Sequence, residues 1–190
     1  MSALLDPFIP LPDVRERHEI VVPAPAPLVL EIARNLDIQS ILPVRVIFWM
    51  RSKVLGARVS DVRRPKGLVE EMLGIGWARL AEERDHYFCA GAACQPWQAD
   101  VAFSPIRADQ FATFGEPDCV KIAWTLEVEE LEPAVTRLAT ETRVVATDAA
   151  ARAKFQRYWR MFAIGILMIR RLLLRAVRRQ ASRQWQARSR

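Results

Sequence analysis

Histidine and cysteine are scarce in this chain of 190 residues, which contains two histidines and three cysteines. Cys89, Cys94 and Cys119 are odd in number and include no C-x-x-C pair, so we expect reduced thiols and a cytoplasmic protein. His18 and His86 belong to no local metal-ligand pattern. The sequence therefore indicates neither a metal site nor a cofactor.

Long apolar runs are also absent. The longest run near the C-terminus, Met161 to Ile169, has nine residues, whereas a membrane-spanning helix needs ~20. Residues 1–14 lack a cationic start and a long apolar stretch, so no signal peptide is predicted. The chain also lacks the G-x-G-x-x-G, P-loop, G-x-S-x-G and H-E-x-x-H patterns, which removes support for the common nucleotide-binding and hydrolase classes.

Acidic residues are missing from the C-terminal segment of the chain. Ala149 to Arg190 contains twelve basic residues and no acidic one, giving +12. The rest of the chain has 16 basic and 22 acidic residues, giving −6. This asymmetry indicates an anionic partner for the basic segment, with a solvated helix face as the alternative of equal weight.

The order of predicted elements indicates an α+β domain. A strand over 15–22 precedes helices over 28–36 and 41–55, a charged stretch over 58–66 and a short amphipathic stretch over 68–73. Strands are predicted over 77–83, 86–93, 101–103 and 111–114. A hairpin and one long helix complete the order.

The hairpin is predicted to turn at residues 132–133. Its inner face would carry Ile122, Trp124, Leu126, Val128, Thr136, Leu138, Thr140, Thr142 and Val144. The predicted register pairs Glu127 with Arg137 and Trp124 with Thr140, because apolar residues then meet inside and opposite charges meet outside. Lys121, Glu141 and Arg143 fall on the outer face, where we expect exposure unless the strand is rotated or bulged.

The last helix is predicted to start at the N-cap Asp148 and to reach Arg179, a length of about 48 Å. One side of this helix is apolar. The opposite side is basic except in its middle, where Met161, Ile164 and Met168 lie. Something is expected to cover this apolar row. The candidates are the N-terminal arm, the predicted 41–55 helix, a dimer partner and a membrane surface.

This order of elements resembles the START-like helix-grip superfamily (SRPBCC), which includes polyketide cyclase/dehydrase-like and lipid-transfer proteins. The stretch Thr-Glu-Thr-Arg-Val-Val-Ala-Thr-Asp at 140–148, the following helix start over 151–159 and the Gly76-Trp77 strand opening resemble an uncharacterised bacterial branch of it. The resemblance covers residues 15–180. It implies a curved antiparallel β-sheet that grips the long C-terminal helix, with an elongated apolar cavity between them.

With this resemblance, the sequence predicts an irregular arm over residues 1–14, a ligand-binding domain over residues 15–180 and a basic tail over residues 181–190. Candidate cavity residues combine large apolar side chains with hydroxyls. They are Trp97, Trp124, Thr140, Thr142, Tyr158, Trp159, Phe162 and Ile166. A packed core is the alternative for each of them.

The sequence thus predicts binding of a hydrophobic small molecule such as a lipid or polyketide-like compound, with transport of that molecule as an extension of the binding. The alternative is a cyclase/dehydrase-type enzyme that uses the same cavity, with His86, Tyr158 or Glu141 as its acid or base. Arg171, Arg175, Arg178 and Arg179 are the candidates for peripheral contact with an anionic inner membrane. A homodimer stays open, and nucleic-acid binding ranks third because no recognised motif supports it.

Overall fold

The computed structural model describes residues 3–37 and 67–188, together with residues 41, 53, 54 and 56. The predicted helix over 41–55 and the charged stretch over 58–66 lie outside the described residues, apart from those isolated positions.

The described elements follow the predicted order. They are β1 (Val14–Val22), α1 (Ala26–Arg34), α2 (Leu68–Gly74), β2 (Ala78–Glu83), β3 (Tyr87–Cys94), β4 (Phe103–Pro105), α3 (Ala108–Phe111), β5 (Val120–Glu132), β6 (Val135–Ala146) and α4 (Ala149–Arg188). The strands form one curved antiparallel sheet in the order β1-β6-β5-β3-β2, and β4 pairs with the end of β3. The predicted α+β class, with a long C-terminal helix and short helices after the first strand, is confirmed.

The two faces of the sheet follow the alternation of the sequence. In β1, β3, β5 and β6, even-numbered side chains lie on an inner face, where Phe88, Trp124 and Leu138 pack with residues of α1 and α4. Odd-numbered side chains lie on the outer face, where Cys89 and Ala123 belong to a separate apolar cluster. The period of two thus assigns each strand residue to one face.

The register of the β5–β6 hairpin differs from the prediction by two residues. Trp124 pairs with Thr142, and Glu127 pairs with Ala139. The turn is the reason: Ala134 takes a left-handed φ of 60°, and the pairing is irregular between Glu130 and Glu132. A shift of two residues leaves every side chain on its predicted face.

The outer face of the sheet is covered by residues 3–13 and by α3. Leu5 and Ile9 are each only 1% exposed, and Phe8 makes an edge-on ring contact with Phe111 at 5.8 Å. The strand predicted over 111–114 is wrong, because Phe111 ends the short helix α3 and anchors it in the outer cluster. Lys121 caps this helix, since its Nζ donates to the Phe111 and Ala112 carbonyls at 3.1 and 2.9 Å.

The helix α4 begins as predicted. Asp148 Oδ1 accepts a hydrogen bond from the Ala151 amide at 2.7 Å, which caps the first turn. The helix extends for 40 residues, about 60 Å. Residues 181–188, predicted as a tail, are its last turns, and Ala181 is buried. Within the described residues, α4 included, no helix combines the length and the hydropathy needed to cross a bilayer.

Candidate functional site

The inner face of the sheet carries two apolar clusters. The first includes Trp124, Leu138 and the α4 residues Leu174 and Val177. The second lies nearer the start of α4 and is built from Val120, Val144, Ala146, Ala151 and Phe155. The sheet residues between the two clusters are largely polar, which makes this part of the inner face chemically distinct.

We call this region the polar band and define it by five residues: Glu16 and His18 of β1, Thr140 and Thr142 of β6, and Arg170 of α4. Thr142 pairs with Glu16, and Thr140 pairs with His18, so the four sheet residues lie side by side. The even-numbered alternation directs all four toward α4.

The side chains of α4 that pass over the polar band are half-buried or exposed as whole residues, although the Nε atom of Arg170 is buried. Phe155 and Leu174, at either end, are 2% and 5% exposed. Between them, no residue over 156–173 is buried. Trp159, Phe162 and Ile166, on the side of the helix that faces the sheet, are half-buried. The middle of α4 therefore packs less tightly than its two ends.

Arg170 is the side chain of α4 that enters the polar band. Its Nη1 donates to Thr142 Oγ1 at 2.5 Å. Its Nε is buried and has no hydrogen-bond partner within the described part of the chain. Burial lowers the pKa of Arg170 to about 10, although Glu16 acts in the opposite direction. The guanidinium therefore remains protonated at neutral pH, and its Nε–H can donate a hydrogen bond.

His18 is the second side chain of the polar band with a buried nitrogen that lacks a hydrogen-bond partner among the described residues. Its Nε2 is buried without a hydrogen-bond partner among the described residues and lies 3.8 Å from Glu16 Oε2. Burial, then the positive charge of Arg170, lowers the pKa of His18, while Glu16 opposes the shift and Arg171 adds to it. The imidazole is therefore neutral at pH 7.

Glu16, His18 and Arg170 are not among the site residues predicted from the sequence. The alternation of β1 already assigns Glu16 and His18 to the inner face. Arg170 lies four residues after Ile166 and four before Leu174, within the row of α4 that faces the sheet. Helical spacing was thus the signal that separates this arginine from its exposed neighbours.

The predicted cavity residues fall into two groups. Trp124, Thr140 and Thr142 lie on the inner face and are 8%, 6% and 6% exposed. The others lie beside the second cluster or in the middle of α4; they are Trp97, Tyr158, Trp159, Phe162 and Ile166.

Aromatic contacts connect the second group along the helix. The Tyr158 and Phe162 ring centroids are 5.0 Å apart, and those of Phe155 and Trp159 are 5.9 Å apart. Trp97 Nε1 is a further buried donor without a hydrogen-bond partner in the described ranges. The row therefore offers apolar rings that lead away from the polar band.

Glu141 and Arg143 lie on the outer face as predicted, but the expected exposure is wrong. They are 1% and 2% exposed beneath the N-terminal residues. Burial by itself would raise the pKa of Glu141, but hydrogen bonds from Arg143 and Arg15 outweigh it and hold that pKa below its ordinary value. This pair faces away from the polar band and cannot line a space beneath α4.

The N-terminal residues also fail to cover the apolar row of α4, because they lie on the opposite side of the sheet. Met161, Ile164 and Met168 are 65%, 75% and 49% exposed. Arg171, Arg175, Arg178 and Arg179, the predicted membrane-contact residues, are exposed as well.

Among the described residues, surface depressions lie away from the polar band. One, of about 560 Å³, lies along the last turns of α4, and another, of about 420 Å³, lies between α1 and the β2–β3 turn. Among residues 3–37 and 67–188, no three His, Cys, Asp or Glu side chains are grouped to hold a metal ion.

Comparison with known proteins gives distant likenesses. The chain is similar to a hypothetical protein, jhp0584, from Helicobacter pylori at 10% identity, over 92% of each chain, with a TM-score of 0.43. It is similar to the di-domain ARO/CYC BexL from the BE-7585A biosynthetic pathway at 15% identity, over 87% of this chain and 45% of that chain, with a TM-score of 0.37.

CalU16 from Micromonospora echinospora is 13% identical, over 92% of this chain and 98% of that one, with a TM-score of 0.31. No family model and no curated protein matches the chain. Likenesses with scores this low carry no conclusion about the function of the chain.

Proposed function

We propose that this protein binds a hydrophobic small molecule, such as a lipid or polyketide-like compound, between the inner face of the sheet and the middle of α4. The observation that carries the proposal is the Nε of Arg170, a buried guanidinium donor without a partner in the described residues. A buried donor left unpaired costs about 1–3 kcal/mol, so such groups are rare unless something else pairs with them.

The polar band suits the polar end of such a molecule. Arg170 Nε supplies a charged donor, and His18 Nε2 supplies a neutral ring nitrogen. A carbonyl, hydroxyl or carboxylate oxygen bound here would accept a hydrogen bond from Arg170 Nε. That bond would remove the free-energy cost of burying this donor without a partner. Hydrogen bonds to charged groups are worth about 1.5–3 kcal/mol, enough to orient a ligand.

The neighbouring apolar side chains of α4 suit the apolar body of the ligand. Trp159, Phe162 and Ile166 are half-buried and face the sheet, so a ligand could bury further apolar surface against them. Burial contributes about 25 cal/mol for each Å² of apolar area removed from water. A largely apolar site with few convergent polar groups is typical of small-molecule binding. Carriage of the ligand between membranes would be an extension of the same binding.

Native mass spectrometry of freshly purified protein tests the proposal first. We expect a stoichiometric adduct that disappears on denaturation, and solvent extraction then gives its mass. Binding is next measured by fluorescence titration with cis-parinaric acid, a polyene with one carboxylate. We expect the Arg170→Gln variant to bind the probe at least about tenfold more weakly than the wild-type protein.

Arg171→Gln is the matched control, because it removes the same charge from an exposed neighbouring position. Its affinity for the probe should equal that of the wild-type protein. Absence of both an adduct and probe binding would overturn the proposal. Equal loss in the two variants would show that net charge, and not the polar band, holds the carboxylate.

A cyclase/dehydrase-type enzyme is the second candidate, and His18 is the observation that favours it. A general base must be unprotonated and within hydrogen-bond reach of the proton that it removes. His18 meets the first condition on the inner face, whereas His86 is exposed at the β2–β3 turn and Glu141 lies on the outer face. Conversion of an extracted ligand by the wild-type protein, lost in His18→Gln, would favour the enzyme over the carrier.

A further inference from the structure

The side of α4 that faces away from the sheet carries one continuous set of exposed residues. We call it the arginine–methionine face. It consists of Arg157, Arg160, Met161, Ile164, Met168, Arg171, Arg175, Arg178 and Arg179, all of which are exposed. At 3.6 residues per turn these nine side chains fall within an arc of about 100° and extend for about 33 Å. The face is thus a single stripe.

The centre of the stripe is apolar and unusually exposed. Met161, Ile164 and Met168 follow one another at spacings of three and four residues, so their side chains adjoin on the helix surface. They are 65%, 75% and 49% exposed, so no element within residues 3–37 and 67–188 covers them. A contiguous exposed apolar group rimmed by polar residues is typical of an interaction site.

The arginines on both sides of this centre form no ion pair with the described part of the chain. Among the described residues, α4 forms ion pairs through Arg152 with Asp13 and through Lys154 with Asp118, and the six arginines of the face form none. No acidic residue occurs between Ala149 and Arg190. The partner must therefore supply negative charge.

Charge and chemistry together select one partner. A second copy packed through this stripe would set arginine against arginine with no carboxylate between them. A nucleic acid would supply phosphates but no apolar medium for Met161, Ile164 and Met168. An anionic lipid bilayer supplies both, because its acyl boundary accepts the apolar centre while its headgroups contact the arginines.

We propose that the arginine–methionine face docks on an anionic bilayer, with α4 lying in the plane of the membrane surface. Met161, Ile164 and Met168 enter the boundary between headgroups and acyl chains. The arginines extend sideways and contact lipid phosphates, as long basic side chains do at such interfaces. This docking does not depend on the proposed ligand, since its residues face away from the polar band.

The test is sedimentation of the full chain with phosphatidylcholine vesicles that either contain or lack phosphatidylglycerol. We expect binding to the anionic vesicles, weakened by added salt, and little binding to pure phosphatidylcholine. Each arginine near the surface strengthens binding about fivefold, so Arg175→Gln/Arg178→Gln should bind roughly 25-fold more weakly. A Met161→Ser/Ile164→Ser/Met168→Ser variant should also bind more weakly at unchanged net charge.

Arg183→Gln/Arg188→Gln is the charge-matched control, because both residues are exposed on α4 but lie outside the stripe. It should lose less than about threefold in affinity. Since all substituted side chains are exposed, circular dichroism should report unchanged folding in every variant.

Three outcomes would overturn the proposal. The first is absence of binding to anionic vesicles, and the second is equal weakening in the two double variants, which would indicate diffuse charge attraction. The third is a dimer in solution that dissociates in the Met161→Ser/Ile164→Ser/Met168→Ser variant, with no vesicle binding by the wild-type protein. That result would assign the stripe to a second copy of the chain.

Discussion

Arg143 Nε lies 2.7 Å from Glu141 Oε1, and the two side chains form a buried ion pair on the outer face of the sheet. Arg143 also donates to the Ile9 carbonyl at 2.8 Å and contacts Asp6 at 2.6 Å. Glu141 is reached from the other side by Arg15, at 2.9 Å. The pair therefore connects residues 3–13 to β6 through charged hydrogen bonds.

Removing the arginine from this pair should destabilise the fold strongly. In Arg143→Met, Glu141 stays buried with less compensation, and loss of one partner of a buried pair costs about 3–5 kcal/mol. We expect a value near the lower end, because Arg15 still contacts the carboxylate. Urea denaturation followed by circular dichroism measures the free energy of unfolding.

Asp6→Asn provides the control for this prediction. The Asp6 side chain is 58% exposed, so its contact with Arg143 should contribute no more than about 1 kcal/mol. If Arg143→Met costs no more than Asp6→Asn, the buried network does not hold the N-terminal residues in the way described.

The sequence predicted the face of Glu141 and Arg143 but not their burial. Strand alternation determines the face, whereas burial depends on a segment without secondary structure. Residues 3–13 have no helical or strand period, so their position could not be derived from periodicity. Their apolar content, with Leu5 and Ile9 now among the most buried side chains, was the signal that the segment packs on something.

The pH dependence of stability should contain a contribution from His18. Its pKa in the folded protein is lowered from 6.5 by burial, then by Arg170, against the opposing effect of Glu16. The unfolded chain therefore binds the proton first as pH falls, so stability is fully present above about pH 6.5 and declines below it. We expect His18→Gln to lose less unfolding free energy than the wild-type protein between about pH 7.5 and 5.5.

His86→Gln is the matched control, because His86 is exposed at the β2–β3 turn. Its stability should follow the wild-type curve over the same interval, measured by urea denaturation at each pH. Parallel curves for His18→Gln and the wild-type protein would contradict a desolvated His18.

The polar band was harder to predict than the fold. Hairpin alternation and the Asp148 cap predicted the hairpin and the start of the last helix, because both depend on local sequence, whereas the curved sheet that grips this helix was implied by the family resemblance. Arg170 instead appears in the sequence as one more member of a basic segment. The burial of its Nε follows from the tertiary packing of α4 over β1 and β6. A count of the charges along the sequence carries no information about this packing. The predicted hairpin register was wrong for a related reason, because the register depends on the backbone conformation of Ala134.

Gly91 should be intolerant of substitution although it lies within a regular strand. On the outer face of β3, a Cβ at this position would lie 2.5 Å from the Phe111 ring and 2.7 Å from a Leu80 methyl. Phe111 is fully buried, so its ring has little room to move. We expect Gly91→Ala to lower the free energy of unfolding by about 1–3 kcal/mol, the usual cost of overpacking.

Gly115→Ala isolates this effect, because a Cβ there would approach no atom closer than 3.9 Å. It should change stability by less than about 0.5 kcal/mol. A second check is Phe111→Leu, which removes the ring that the new methyl meets. If contact with this ring is the cause, the double variant Gly91→Ala/Phe111→Leu should be less destabilised than the two single variants added together. Additive costs would mean that α3 does not pack against Gly91 as described.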